Sequence, residues 1–368
     1  MQMKKLSFAI VILACLSIFS FQKKTIPFYI GTGDKGENSS ISLCELDLST
    51  GKITLIDTFN NCKGPGYVSV SPNKKNLYAA SGDNRITAFS IGSDNKLTYL
   101  NSQPSEGLNP CHVSVHPSGK MAFVANYTGG SFSAYTLKAN GEVNPATYTE
   151  QYSGSGPNTK RQEKAHAHFS TASPDGKYIY TVDLGSDRVM NYTVDTKSGK
   201  LTPNPAQPFY TAKAGSGPRH LVIHPSGKNL FLLNELESTL TACSIDKNGV
   251  IATIATYPTL PADFTGNNTS AAIRLHPSGK FVYVSNRGHN SVSGFKINAD
   301  GTLLKVDEIT KSIVVPRDFN IDPTGKYMIV ANQDANNLVV YTVDPQTGKL
   351  TFKHESISIK APICVTFL

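Results

Sequence analysis

The side chains best suited to acid–base or anion chemistry sit in a few short strings. His166 and His168 lie in "EKAHAH", Arg219 and His220 in "GPRH", Glu235 in "NEL", Arg287 and His289 in "NRGH", and Arg317 in "VPRDF". A guanidinium group offers a planar fork that matches carboxylate or phosphate. A histidine or glutamate beside it can act as general base on water, and arginines can steady the oxyanion formed when a carbonyl is attacked. Gathered in one place, this set would bind an anionic substrate and open an activated ester. The chain has no nucleophile-elbow serine or cysteine, no HExxH and no clustered Asp/Glu/His metal signature. The chemistry therefore calls for neither a metal nor an organic cofactor. His166-Ala167-His168 by itself would also admit a metal reading, because alternate residues of a strand point to one face.

Whether these residues meet depends on the elements that carry them, and those elements repeat. Six segments align without a gap, among them "CHVSVHPSGKMAFVAN", "HFSTASPDGKYIYTVD", "RHLVIHPSGKNLFLLN" and "AAIRLHPSGKFVYVSN". Their shared prolines are Pro72, Pro117, Pro174, Pro225, Pro277 and Pro323, spaced 45, 57, 51, 52 and 46 residues. Each segment is a β-branched run, a Pro-x-Gly-Lys turn and a second alternating run, in which proline sets φ and glycine completes the turn. A second hairpin signal of the type "DTKSGKL" or "NADGTL" follows in each unit and occurs seven times, once more than the first.

The mismatch resolves if the chain ends share a unit. "IKAPICVTFL" supplies only the start of one, and "PFYIGTG" with "ISLCELDLSTGKI" supplies the rest. The expectation is an all-β, seven-bladed propeller with four-stranded blades, the last closed by the N-terminal and C-terminal strands. The strand around Phe28–Gly31 should then pair with that around Ile363–Phe367, bringing Cys44 and Cys364 into one blade and leaving open whether they are bridged. The chain has no tryptophan, which excludes the Trp-Asp repeat class.

The repeat serves as an internal control. His116, His224 and His276 all precede the turn proline in "HPSGK", which marks them as structural. Asn126, Asn234, Asn286 and Asn332, with Asp183 in the same column, should cap blade ends. Six residues before the proline the column reads Gly66, Cys111, His168, Arg219, Ala271, Arg317. Ten residues after it the column reads Gly82, Tyr127, Leu184, Glu235, Arg287, Gln333. Two antiparallel strands joined by a tight turn return to one end, so both columns should face the same mouth of the central channel. That places His168, Arg219, Glu235, Arg287 and Arg317 around one opening, either as an anion-binding site or as charges paired across the channel.

Composition fits this picture. The chain has 368 residues, 39% hydrophobic and 17% charged, with a net charge of +8 and no run of five like charges. No nucleic-acid arm is indicated, and the positive balance suits a small anionic substrate. Lys4 and Lys5 followed by an apolar run from Leu6 to Phe21 read as a secretory signal over residues 1–21, leaving a single propeller domain over 22–368. "ILAC", ending at Cys15, resembles a bacterial lipoprotein cleavage box, so a lipid anchor there is the alternative to ordinary cleavage. No second long apolar run occurs, so no membrane span is expected after signal removal. The protein is expected to be exported, periplasmic or envelope-associated in a bacterium. The six cysteines lie far apart with no CxxC.

The strings "ANYTGG", "RQEKAHAH", "VDLGSDRV", "GSGPRHLVIHP", "NELESTL", "SNRGHNSV" and "VPRDF", in this order from Pro27 to Leu368, resemble the seven-bladed lactonase family. That family includes a bacterial 6-phosphogluconolactonase and a fungal carboxymuconate-lactonising enzyme. The resemblance implies metal-free activity at a site built on the histidine of "HAH", the arginine of "GPRH", the glutamate of "NEL" and the arginine of "NRGH". Residue by residue these are His168 (or His166), Arg219, Glu235 and Arg287 as catalytic candidates. His166, His220, Arg317, Asp183 and His289 are candidates for binding substrate. The expected activity is hydrolysis of a sugar-acid lactone. The alternatives are a cyclising isomerase acting on an unsaturated dicarboxylate and a non-catalytic propeller binding carbohydrate or protein.

Overall fold

A computed structural model of the chain describes residues 24–34, 36 and 39–368. The signal segment expected over 1–21, with Cys15, lies outside the described residues. Every regular element among the described residues is a strand, and none of them is a helix long and apolar enough to cross a membrane.

The strands form seven antiparallel sheets. Blade 1 spans 67–104, blade 2 110–151, blade 3 167–211, blade 4 218–258, blade 5 269–309 and blade 6 316–358. Blade 7 takes its innermost strand, Pro362–Phe367, from the C-terminus and its other three, Thr25–Thr32, Ile41–Asp47 and Ile53–Phe59, from the N-terminal end. Phe28 pairs with Phe367 and Gly31 with Cys364, as the shared-unit reading requires. The innermost strands of all seven blades contact their neighbours in turn around a closed ring. Cys44 and Cys364 do share this blade, but the strand Thr25–Thr32 runs between them and both are free thiols.

Period-2 alternation makes each blade a two-faced wedge. In Thr25–Thr32, Phe28 and Ile30 pack against blade 6 through Tyr327, Ile329 and Val340. Tyr29, between them, packs the other way, against Val68, Leu77 and Phe89 of blade 1. Seven apolar clusters of this kind fill the seven interfaces, one for each.

The turn histidines prove to be rivets between blades. Ser118 N donates to His116 Nδ1 at 3.1 Å, which leaves Nε2 to donate to the Gly176 carbonyl in the next blade's turn at 2.8 Å. His224 reaches Gly279 O at 3.2 Å and His276 reaches Gly325 O at 2.9 Å in the same way. The receiving glycines have φ of +72° to +78°, a conformation glycine adopts at no steric cost. The blade-end asparagines also cap as their column suggests. Asn126 Nδ2 donates to Ser105 O and Asn332 Nδ2 to Ser312 O, both at 2.8 Å.

Blade 3 departs from the template at its outer edge, where Lys200–Pro203 and Phe209–Thr211 both pair with Arg188–Asp195. Pro203, Pro205 and Pro208 explain the split, because proline lacks the N–H that a continuous ladder requires.

Candidate active site

The start of each inner strand and the end of the strand that follows it meet at one mouth of the ring, since antiparallel partners return to the same level. Pro218 therefore faces Asn234, and the residues just after each, Arg219 and Glu235, are neighbours. A cavity of about 480 Å³ opens there, within the range that small-molecule sites occupy. It is lined by His168, Arg219, Glu235, Arg287 and Arg317, the five residues the two columns bring together. Ile363 of the closing strand also lines it, completing the ring.

Glu235 is the hub. Its carboxylate is buried, with 3% of the side chain exposed. Oε1 accepts from Arg161 Nη2 at 2.7 Å and lies 3.2 Å from Arg287 Nη2. Oε2 lies 2.9 Å from Arg219 Nε, an ion pair whose N–H is not aligned as a hydrogen bond. Burial alone would push the Glu235 carboxyl up, but the charges of Arg287, Arg219 and Arg161 outweigh it and hold the group below the usual carboxylate value. It is ionised at neutral pH, with both oxygens engaged. Burial and repulsion from Arg287 lower Arg219, against the pull of Glu235. Arg317 lines the cavity, and its side chain makes no hydrogen bond or ion pair among the described residues. Asp318 also lines the cavity and feels Arg219, but its main partner is Arg274, whose Nη2 donates to both its oxygens, at 2.8 and 2.9 Å. Three guanidinium groups thus share the Glu235 carboxylate at the mouth, with Arg317 a fourth beside them.

Alongside His220, His168 is one of two cavity histidines with unused capacity. Burial, reinforced by Arg219 and Arg317, drives its pKa well below the usual histidine value, so the ring is neutral. Its buried Nδ1 has no hydrogen-bond partner. Beneath it the His220 ring lies 5.1 Å away edge-on, and His112 lies 5.7 Å from His220. Burial keeps both of these well below the usual value too, with Arg219 and Arg274 adding to the effect. His220 lines the cavity, and its Nε2 is 3.3 Å from Arg219 Nη1.

Three candidates stand outside the cavity. His166 stacks on Tyr127 with ring centroids 4.6 Å apart, its Nδ1 3.0 Å from the Tyr127 carbonyl and its Nε2 3.0 Å from Glu163 Oε1. Asp183 accepts from His166 N at 2.6 Å, from Gly185 N at 3.0 Å and from the Ser186 hydroxyl. It thereby fastens the "HAH" segment from behind. His289 lies beyond Gly288, edge-on to Phe264 at 4.7 Å and 4.0 Å from Glu308. The "HAH" segment itself threads a gap that only glycines leave open. A Cβ on Gly185 would lie 1.8 Å from Lys164 O, and one on Gly130 would lie 2.4 Å from Ala165 O.

Arg161 and Tyr127 also line the cavity. Neither was selected from the sequence, although Tyr127 stands in the second column and Arg161 in the quoted "RQEKAHAH". The charge around the rim is lopsided. Blades 4 to 6, with Arg161 from the connection before blade 3, supply the charged groups, whereas blades 7, 1 and 2 present Thr32, Gly33, Gly64, Gly66, Gly82 and Asn109. Among the described residues no group of three or more His, Cys, Asp and Glu side chains is placed to hold a metal ion.

A ring of seven blades with this string order defines a lactonase-type propeller, and residues 27–367 match the family described as "Lactonase, 7-bladed beta-propeller". The chain belongs to that family. It is 34% identical over 346 residues to the 6-phosphogluconolactonase of Bacillus subtilis (strain 168), covering 92% of this chain and 97% of that one. A crystal structure from Bacteroides fragilis NCTC 9343 superposes with a TM-score of 0.88 at 30% identity, over 95% of this chain and 99% of that one. The periplasmic gluconolactonase of Pseudomonas aeruginosa superposes with a TM-score of 0.87 at 26% identity, over 94% and 99%.

Proposed function

We propose that this protein is a lactonase that hydrolyses a sugar-acid lactone of the 6-phosphogluconolactone kind, outside the cytoplasm, by activating water without a metal. The observation that carries the reading is the convergence of Arg161, Arg219, Arg287 and Arg317 on one cavity, the first three of them against the one carboxylate of Glu235. Such an excess of preorganised positive charge favours a transition state in which a carbonyl oxygen becomes negative.

The steps follow from the positions of the groups. The lactone ring lies in the cavity with its carbonyl oxygen toward Arg219 and Arg287 and its hydroxyl-bearing carbons over the glycine-lined side. Neutral His168, which lines the cavity, takes a proton from water on a ring nitrogen as the water oxygen bonds to the carbonyl carbon. The imidazolium charge arises together with the oxyanion beside it, so neither forms alone among the arginines. Collapse of the tetrahedral intermediate breaks the bond to the ring oxygen, and His168 returns its proton to that leaving oxygen. Glu235 holds the guanidinium groups in register. Its two oxygens are already engaged and its carboxyl is held low, which makes it a weaker base than its position suggests.

Relatives named 6-phosphogluconolactonase and periplasmic gluconolactonase support the substrate class, and the latter, with the basic and apolar N-terminus, supports export. The test is ring opening of gluconolactone, its 6-phosphate and muconolactone above the spontaneous rate, with and without chelator. Loss of muconate absorbance would instead mark a cyclising isomerase.

A further inference from the structure

Three of the four arginines at the mouth belong to the blade framework. Arg219 and Arg317 stand on inner strands, and Arg287 ends the second strand of blade 5. Arg161 comes instead from the connection before blade 3, at a turn fastened from beneath. The buried Gln162 donates Nε2 to Leu184 O at 2.9 Å and accepts from Asn158 N at 3.2 Å. Its backbone N donates to Asn158 O at 2.7 Å, and its carbonyl accepts from Gly156 N at 2.9 Å. A Cβ on Gly156 would lie 2.5 Å from the Gln162 side chain, so the loop is packed against its own anchor.

From this anchored turn the Arg161 side chain reaches over the cavity. It is 35% exposed, against 4% for Arg219 and 15% for Arg287. Its Nη2 donates to Glu235 Oε1 at 2.7 Å and to the Tyr127 hydroxyl at 3.2 Å. Glu235 does not depend on this bond, because Arg287 faces the same oxygen and Arg219 the other. An anion arriving from solvent therefore meets a guanidinium whose present partner has two others.

We propose that Arg161 is a specificity-determining residue, which exchanges Glu235 for a phosphate or carboxylate substituent carried by the substrate away from its lactone ring. The exchange replaces one charge-assisted pair by another, so no charge is left buried without a partner. A lactone lacking such a substituent offers nothing to exchange, and Arg161 stays on Glu235. The site then takes anionic sugar-acid lactones ahead of neutral ones of the same ring. This inference rests on the lactonase reading for its substrate, but its binding test does not.

The experiment compares the purified protein with Arg161→Gln and Arg161→Lys on 6-phosphogluconolactone and gluconolactone. The expected result is that kcat/KM of Arg161→Gln falls at least tenfold further for the phosphorylated lactone than for the neutral one, with Arg161→Lys between. Equal loss on both substrates would overturn the proposal, since a merely structural role lowers both alike. Calorimetric binding of the hydrolysis products supplies the second measurement. 6-Phosphogluconate should bind Arg161→Gln at least tenfold more weakly than the unmodified chain, and gluconate should show a smaller change. If no lactone is turned over, the lactonase reading fails. The role of Arg161 in anion binding is then overturned by equal 6-phosphogluconate affinities and upheld by unequal ones.

Discussion

Arg219 Nε lies 2.9 Å from Glu235 Oε2 because the strands that carry them are hairpin partners, Pro218–Ile223 and Asn229–Asn234, joined by the "HPSG" turn. The turn geometry of blade 4 thus sets the central ion pair of the site. The same arrangement brings Arg287 from blade 5 to within 3.2 Å of that carboxylate.

Glu235→Gln removes the counter-charge from three guanidinium groups while keeping the shape. Breaking a buried pair on one side costs about 3–5 kcal/mol. The variant should melt well below the unmodified protein and lose its rate gain over spontaneous ring opening. Calorimetric scans followed by assay at a temperature where both proteins are folded check this. Retained melting temperature together with retained activity would contradict the hub role.

His168→Gln should separate activity from stability. General-base catalysis contributes about 10²–10⁴-fold, so kcat should fall by that order with little change in KM. The melting temperature should change little, because the amide keeps a polar group of similar size and His168 takes part in none of the ion pairs at the mouth. A variant retaining more than half the unmodified kcat would assign the proton transfer elsewhere.

How much of this was legible in the sequence depended on whether a residue kept the repeat's register. His168, Arg219, Arg317, Glu235 and Arg287 occupy aligned columns, and strand geometry then brings them to one mouth. Arg161 sits in the longest insertion between aligned turns, where no column exists, so only the structure shows where its side chain goes. Asp183 was selected as a binding candidate although its column is one of caps. It bonds neighbouring backbone as Asn126 and Asn332 do. His289 follows Arg287 by two residues, but Gly288 at φ +119° turns the chain between them. Adjacency in a string did not carry it to the cavity.

Acid should destabilise the fold before carboxylates titrate. His112, His168 and His220 are held well below the usual histidine value by burial, with arginine charges adding to it. In the unfolded chain they protonate near the ordinary value of about 6.5. Below that pH the unfolded state binds more protons, and stability falls as pH drops toward the folded-state values. Each proton contributes a slope of about 1.4 kcal/mol per pH unit. Melting temperatures should therefore decline steadily from pH 6.5 to 5, less steeply in His168→Gln. A flat profile over that interval would show the three rings protonating freely in the fold.

The interblade rivets give a control remote from the mouth. His276→Ala loses the bond from Ser278 N and the bond to Gly325 O. Leaving the Gly325 carbonyl unpaired should cost about 1–3 kcal/mol, seen as a lowered denaturant midpoint. The kcat/KM of the folded variant should match the unmodified protein. A loss of activity without loss of stability would overturn the structural assignment of this histidine.

The most direct test of the central claim is the initial rate of acid release from 6-phosphogluconolactone and gluconolactone by the purified protein near neutral pH, with the spontaneous rate subtracted. The account predicts opening well above the spontaneous rate, unaffected by chelator and abolished in His168→Gln. A rate indistinguishable from buffer on both lactones, or one undiminished in His168→Gln, would contradict it.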